Sequence, residues 1–115
     1  MKLRKVQIKQ NQVHVGSAKV PLISGEVHYW RLNPRYWKVI LDEVRQMGLK
    51  VVSTYIPWDY HEVKRGHFDF TGETDETHNL KGFLELTRRE GFWLLIRPGP
   101  YIYSEWPNDG IPSYA

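Results

Sequence analysis

Three short segments of the sequence each place aromatic residues beside a carboxylate, directly after an apolar run. The segments are GEVHY (25–29), TYIPWDYHE (54–62) and RPGPYIYSEW (97–106). An aromatic face packs well against the apolar C–H face of a sugar ring, and carboxylates accept hydrogen bonds from sugar hydroxyls. Functional residues of α/β folds gather at the carboxyl ends of strands. The three segments together therefore predict a carbohydrate-binding site.

The same residues also allow structural interpretations. A tyrosine or tryptophan near a strand end often packs in the core or at its rim. In the alternative interpretation, His61 and Glu62 cap a turn, and Arg97 forms an internal ion pair with Glu26. His28, His61 and Glu62 are of metal-ligand types, but their spacing matches no compact metal motif. We therefore predict no metal site and no cofactor.

The elements that must position these segments alternate between extended and helical patterns. Residues 5–15 alternate apolar and polar side chains and predict a β-hairpin. A second extended run covers residues 20–27, and further strand-like runs cover 51–58 and 92–96. The polar residues 61–75 predict an irregular connection.

Two amphipathic helices are predicted between these strands. The first begins at Asn33-Pro34, an N-cap followed by proline at the first helical position, and ends before Gly48. The second covers about residues 77–90 and ends before Gly91. The order strand, helix, strand, helix, strand, with nearly continuous apolar strands, predicts a parallel sheet covered by helices and hence an α/β fold.

Composition excludes several classes of protein. The chain has 115 residues, a formal net charge of +3 and a pI of about 9.2. Its basic residues are scattered apart from an N-terminal group, so no nucleic-acid surface is predicted. The absence of cysteine excludes disulfides, thiolate catalysis and Cys-based zinc sites. No leader-like or membrane-spanning apolar run occurs, so we expect a cytoplasmic protein without membrane association.

The motifs, taken in order, resemble the N-terminal part of the catalytic domain of glycoside hydrolase family 35, the β-galactosidase family. The motifs that carry the resemblance are SG (24–25), HY (28–29), YW (36–37), GL (48–49), TY (54–55), PW (57–58), HE (61–62), FDF (68–70) and RPGPYI (97–102). The resemblance extends over about residues 6–114 and implies a β-galactoside substrate. It also implies a TIM (β/α)₈ barrel, which takes about 250 residues. Residues 1–115 are then the opening part of that barrel, with a β-hairpin lead-in at 1–20 and three strands and two helices at 21–115.

The resemblance also implies roles for individual residues. Positions that match sugar-contacting residues of the family are Tyr55, Tyr103, Ser104 and Glu105, and those around the pocket are Glu62, Arg97, Trp58 and Trp106. The family carries its acid/base after the fourth strand, in an Asn-Glu dipeptide that this sequence lacks, and its nucleophile after the seventh. We therefore predict no catalytic residue in this chain and expect it to be inactive by itself.

Three departures from the family pattern bear on the sugar. Tyr103-Ser104 stands where Cys-Ala is common, Val63 where proline is usual, and Asn108-Asp109 where a Gly-Gly pair is usual. Two alternatives to a β-galactosidase therefore stay open: a hydrolase of another β-linked sugar, and a truncated carbohydrate-binding or interaction remnant without enzymatic activity. We expect the rest of the barrel, or a self-association surface, to cover the exposed sheet edge.

Overall fold

An antiparallel meander, a parallel sheet and two long helices make up the fold in the computed structural model, which describes residues 3–103 and 106–115. In chain order the elements are β1 (Val6–Lys9), β2 (Gln12–Val15), β3 (Ala18–Val20), β4 (Gly25–Glu26), α1 (Trp37–Gln46), β5 (Val51–Tyr55), α2 (Trp58–His61), β6 (Glu62–Lys64), β7 (His67–Phe68), α3 (Leu80–Arg89) and β8 (Trp93–Arg97). Turns of 3-10 helix occur at Tyr29–Arg31, Pro34–Tyr36, Glu76–His78 and Pro107–Gly110. No helix in the described ranges is long and apolar enough to cross a membrane.

The N-terminal meander pairs β1, β2 and β3 in sequence order. Val6 lies opposite Val15 in the first pair of strands. Gln10 and Asn11 both have positive φ angles, 50° and 61°, as a two-residue type I′ turn requires. The structure therefore contains the predicted hairpin and extends it by a third strand.

The parallel sheet has the strand order β4-β5-β8. Helix α1 lies between the first two strands in the sequence, and α3 lies between the last two. The predicted α/β fold is therefore confirmed. Strand β4, the first strand of this sheet, is shorter than the predicted extended run of residues 20–27. Residues 18–20 pair with β2 instead, and Pro21 has no N–H to donate to a ladder.

Helix α1 ends where its sequence predicts, but it begins at Trp37, three residues after the predicted start at Asn33-Pro34. The Asn33 side chain accepts a hydrogen bond of 3.0 Å from the Arg35 N–H, and a 3-10 turn leads into the α-helix. Gly48 ends the helix with a φ of +83°, a conformation that glycine adopts without steric cost. Trp37, Leu41 and Val44 form its buried stripe.

Helix α3 begins three residues later than predicted, at Leu80. Residues 76–78 form a 3-10 turn instead, because the Asp75 side chain accepts the Thr77 N–H. Asn79 then caps α3 by accepting the Gly82 N–H at 2.9 Å. Two successive caps thus separate the turn from the helix.

The core lies between the helices and one face of the parallel sheet. Tyr29, Leu41, Val52 and Phe83 are fully buried there, and the rings of Tyr29 and Phe83 stack with centroids 5.1 Å apart. Strand residues that alternate with Val52 point to the opposite face. On that face Leu95 is 52% exposed. One face of the sheet is thus covered by helices, and the part of the other face around Leu95 is open within the described residues.

Residues 61–75 are more ordered than the predicted irregular connection. They include the β6–β7 hairpin, and the Asp69 carboxylate organises the loop that follows. This carboxylate accepts the backbone N–H groups of residues 71–74 and the Thr74 hydroxyl, at 2.6 to 3.1 Å. Burial acts to raise the pKa of Asp69, but these hydrogen bonds outweigh it and hold the pKa well below its usual range. The conformation of this loop depends on the Asp69 side chain. Because the loop has no apolar periodicity, the sequence pattern did not predict its order.

Candidate functional site

The carboxyl ends of the three parallel strands bring Glu26, Tyr55 and Arg97 together. The strand register puts all three on the sheet face away from the helices. Arg97 donates from Nη1 to the Tyr55 hydroxyl oxygen at 3.1 Å and from Nη2 to the Glu26 carboxylate. The central carbon of the guanidinium lies 3.9 Å from the centroid of the Tyr55 ring, so the cation also packs on the aromatic face.

Glu26 receives hydrogen bonds from three side chains. Besides Arg97, the donors are Ser53 Oγ and His28 Nε2, the latter at 3.2 Å. Ser53 in turn accepts from Ser24 Oγ at 3.2 Å, so a chain of hydroxyl groups ends at the carboxylate. The interpretation of Arg97 as an internal ion-pair partner of Glu26 is confirmed. The pair is not fully buried, since 39% and 35% of the two side chains remain exposed.

An open groove adjoins this cluster on the side of β4. It has a volume of about 410 Å³, and its lining includes Glu26, His28, Arg31 and Glu43. Strand β4 pairs with β5 on its other side. The groove therefore runs along the edge of the sheet that is unpaired within the described residues.

Trp58 and Glu62 belong to a separate cluster at α2 and β6. The Glu62 carboxylate accepts from Trp58 Nε1 at 2.9 Å, from the Gly66 N–H at 2.7 Å and from Tyr114 OH. The bond from Tyr114, followed by that from Gly66, lowers the pKa of Glu62 below its usual range. The turn-capping interpretation is thus confirmed for Glu62. Among the described residues, no hydrogen bond links this cluster to Arg97.

Trp106 packs among other side chains at the rim. Its Nε1 donates to Asp59 Oδ2 at 3.1 Å. Its ring meets those of Tyr60 and Trp30 edge-on, with centroid distances of 5.5 and 6.2 Å. These contacts hold the segment that follows β8 against the segment that follows β5.

His61 is a buried residue with both ring nitrogens occupied. Nδ1 donates to the Asp69 carbonyl at 2.7 Å, so the unprotonated Nε2 accepts from the Tyr29 hydroxyl at 2.6 Å. Burial lowers the pKa of His61 and raises the pKa of Tyr29. Among the described residues, no three His, Asp or Glu side chains come close enough together to hold a metal ion.

The segment predicted to contact sugar after β8 lies only partly within the described residues. Tyr103 is 73% exposed, and its ring meets that of Tyr101 edge-on at 5.0 Å. Ser104 and Glu105 lie outside the described residues. The structure thus brings Tyr55 to Arg97 and leaves Tyr103 at the surface, while the roles of these residues in sugar binding stay predictions.

Ser53 belongs to the Glu26 cluster but was not predicted from the sequence. Ser53 is 3% exposed and lies two residues before Tyr55 on β5. A polar residue inside an apolar run, at even spacing from a candidate residue, faces the same side of the sheet. That spacing is the signal by which the sequence could have revealed Ser53.

The sequence is similar to known proteins over nearly its whole length. The sequence profile described as glycosyl hydrolases family 35 matches residues 12–115. A β-1,2-glucosyltransferase of Ignavibacterium album is 46% identical over 107 residues, which cover 93% of this chain and 14% of that protein. An exo-β-D-glucosaminidase of Thermococcus kodakarensis is 42% identical, over 96% of this chain and 14% of that protein. A β-galactosidase of Felis catus is 40% identical, over 80% of this chain and 13% of that protein. The chain therefore spans about 14% of the length of the first of these relatives.

Proposed function

Because the chain belongs to glycoside hydrolase family 35, we propose that the full-length protein is a retaining glycoside hydrolase with β-galactosides as its substrates. In this proposal the chain supplies residues that bind the sugar. The observation that carries it is the meeting of Glu26, Tyr55 and Arg97 at the carboxyl ends of adjacent parallel strands. Enzymes with parallel α/β sheets carry their sites at this end of the strands.

We propose further that β4, β5 and β8 are the first three strands of a (β/α)₈ barrel. The strands are adjacent, parallel and in sequence order, as consecutive barrel strands are. In a closed barrel, side chains such as the exposed Leu95 pack against those of the other strands. Valines of the meander line a cavity of about 300 Å³ together with Val51, Trp93 and Leu95. This cavity supports a role for the meander in covering the amino-terminal end of the barrel interior.

The carboxylates that break the glycosidic bond belong, in this proposal, to the part of the protein outside this chain. A retaining glycosidase needs an acid/base and a nucleophile about 5 to 5.5 Å apart. Glu26 is held by three side-chain donors, and Glu62 accepts three hydrogen bonds of its own. The lowered pKa of Glu62 also makes it a poor proton donor at neutral pH. Both carboxylates are therefore better suited to holding neighbours in place than to attacking a sugar.

The part assigned to this chain is to bind and orient the sugar. Tyr55 offers a hydroxyl group next to Arg97, and Tyr103 offers an exposed aromatic ring. Ser104 and Glu105 are proposed to contact sugar hydroxyls in the same segment. Residues proposed to shape the surrounding loops are Trp58, Glu62 and Trp106, through the hydrogen bonds they form with one another and with Asp59 and Tyr114.

The test is hydrolysis of 4-nitrophenyl β-glycosides by the full-length protein. We expect the β-D-galactoside to give the highest kcat/KM and proton NMR to show the β-anomer as the first product. Tyr55→Phe should lower kcat/KM about tenfold or more, because a hydrogen bond to the sugar is lost, with little change in Tm. A folded protein that binds galactose but cleaves none of these glycosides would contradict the proposal and favour a non-enzymatic carbohydrate-binding protein.

A second candidate substrate class comprises β-glucosides and β-glucosaminides. The glucosyltransferase and glucosaminidase relatives are 46% and 42% identical over 93% and 96% of the chain, compared with 40% over 80% for the β-galactosidase. Tyr103 also stands where the β-galactosidase family commonly has cysteine. A preference for a glucoside or glucosaminide in the same assay, or transfer of a glucosyl unit to an acceptor sugar, would identify this class.

A further inference from the structure

We propose that Glu26 is a positioning residue that, acting through Arg97, orients the Tyr55 hydroxyl as a hydrogen-bond donor toward the sugar. The proposal rests on the proposed function, because it takes Tyr55 to face the sugar. Beyond that function, it states that the Tyr55 hydroxyl donates its hydrogen bond to the sugar, and that the Glu26 carboxylate maintains this orientation.

The direction follows from the donors available around Tyr55. A guanidinium carries N–H donors and no acceptor, so the Tyr55 oxygen accepts from Arg97 Nη1 at 3.1 Å. The hydroxyl proton of Tyr55 is left to point elsewhere, and no described residue accepts it in a hydrogen bond. Tyr55 therefore offers a donor to its surroundings, which fits an oxygen acceptor such as a sugar hydroxyl.

Arg97 keeps this position because Glu26 holds the other branch of its guanidinium. Nη2 donates to Glu26, while the plane of the group packs 3.9 Å from the Tyr55 ring centroid. Arg97 Nε is buried and has no hydrogen-bond partner among the described residues. The hydrogen bonds that anchor the guanidinium thus come from its two terminal nitrogens. Glu26 is itself held by Ser53 and His28.

The position of the Glu26–Arg97 ion pair in the sheet indicates that the pair orients side chains of the site more than it stabilises the fold. Strand β5 lies between β4 and β8, so the bond from Arg97 to Glu26 crosses the central strand beside Tyr55. More than a third of each side chain is exposed, at 39% and 35%. Ion pairs with this degree of exposure add little to folding free energy. Loss of the Glu26 charge should therefore disturb the site without unfolding the protein.

The experiment is a double-mutant cycle on the full-length protein, with Glu26→Gln and Tyr55→Phe, assayed on the 4-nitrophenyl β-glycoside that the wild type cleaves best. Glutamine keeps the shape and an oxygen acceptor for Ser53 but loses the charge that holds Arg97. We expect Glu26→Gln to raise KM about five- to tenfold and to change kcat less than about twofold. In the Tyr55→Phe background, the same substitution should change KM less than about twofold, because no hydroxyl remains to be positioned.

The matched control is Glu43→Gln, an exposed carboxylate of α1 that lines the same groove as Glu26. It should leave KM in both backgrounds unchanged. Equal increases in KM for Glu26→Gln with and without the Tyr55 hydroxyl would overturn the proposal, because Glu26 would then act independently of Tyr55.

A second measurement separates this proposal from the proposed function. NMR of full-length protein labelled with 15N and 13C reports rotation of the Arg97 guanidinium about its Nε–Cζ bond. We expect separate Nη signals in the wild type and averaged signals, with shifted Tyr55 ring resonances, in Glu26→Gln. A wild type that cleaves no β-glycoside would refute the proposed function, and unchanged Arg97 and Tyr55 spectra in Glu26→Gln would refute the positioning role on their own.

Discussion

Asp69 and Glu26 are both carboxylates held by several hydrogen bonds, but their donors differ in kind. Asp69 accepts the consecutive backbone N–H groups of residues 71–74 within one loop and is 5% exposed. Glu26 accepts from Ser53 on β5, from Arg97 on β8 and from the nearby His28, and 35% of its own side chain is exposed. Backbone donors from one loop thus stabilise that loop, whereas side-chain donors, two of them from neighbouring strands, can shape a site that remains partly exposed.

The largest effect is expected from Asp69→Ala. The substitution leaves four backbone N–H groups and the Thr74 hydroxyl without their acceptor. We expect a loss of about 3 kcal/mol of folding free energy, because five partly buried donors lose their shared acceptor at once. Thermal unfolding of the full-length protein measures the effect. Asp75→Ala, which removes the exposed cap of one 3-10 turn, is the control and should lower Tm less.

Equal losses of Tm in Asp69→Ala and Asp75→Ala would contradict this prediction. The loop would then be maintained by packing around it, and the number of backbone donors on Asp69 would not distinguish it from an ordinary cap.

A smaller effect is expected from pH, through the buried His61. Burial lowers the pKa of His61 below the value of about 6.5 of the unfolded chain. Below about pH 6.5 the unfolded state binds more protons than the folded state. The contribution of His61 to folding stability is therefore present at pH 7 and is lost as the pH falls below about 6.5. The loss is at most about 1.4 kcal/mol per pH unit. Asp69, whose folded pKa is also lowered, loses its contribution only as the pH falls below about 4.

The measurement is Tm at pH 7.5 and pH 5.5 for the wild type and for His61→Asn. Asparagine retains an N–H donor near the Asp69 carbonyl and does not titrate in this range. The wild type should lose stability between the two pH values, and the variant should show a smaller loss. The same loss in both proteins would assign the pH dependence to a different group.

The smallest effect on stability is expected from Glu26→Gln. Because the ion pair with Arg97 is more than a third exposed, its loss should cost less than about 1 kcal/mol. The Tm should therefore fall by only a few degrees, in a protein whose KM has risen. A fall in Tm as large as that caused by Asp69→Ala would show that Glu26, like Asp69, mainly stabilises the fold. The two carboxylates would then not differ in role.

Local signals in the sequence predicted α1, α3 and the order of the parallel strands around them, but not the short helix α2, whose first residue falls in the predicted strand-like run 51–58. Asn33 and Gly48 act on backbone groups within a few residues, so their types alone indicate where the 3-10 turn that leads into α1 begins and where α1 ends. The α/β fold followed from the alternation of apolar strands with amphipathic helices. The extent of β4 could not be predicted in this way, because Val20, where the predicted extended run begins, pairs with Val13 of β2 instead.

Only one part of the candidate site could be predicted from the sequence. This part consists of the residues at the carboxyl ends of the parallel strands, which lie at the same edge of the sheet. Glu26 and Arg97 could be paired because both follow such strands in the sequence pattern. The bond from Tyr114 to Glu62 joins residues 52 positions apart, and no periodicity in the sequence connects them. Ser53 was missed because β5 consists mostly of β-branched residues, which favoured the interpretation of the whole strand as core.

The Asp69 loop has a consequence for amide hydrogen exchange. Residues 71–74 belong to no helix or strand, and amides outside regular structure are generally expected to exchange rapidly with heavy water. Their N–H groups nevertheless all donate to one carboxylate, and an amide exchanges only when its hydrogen bond opens. Deuterium uptake in this loop should therefore be as slow as in α3, which makes the loop a protected segment between two stretches of regular structure.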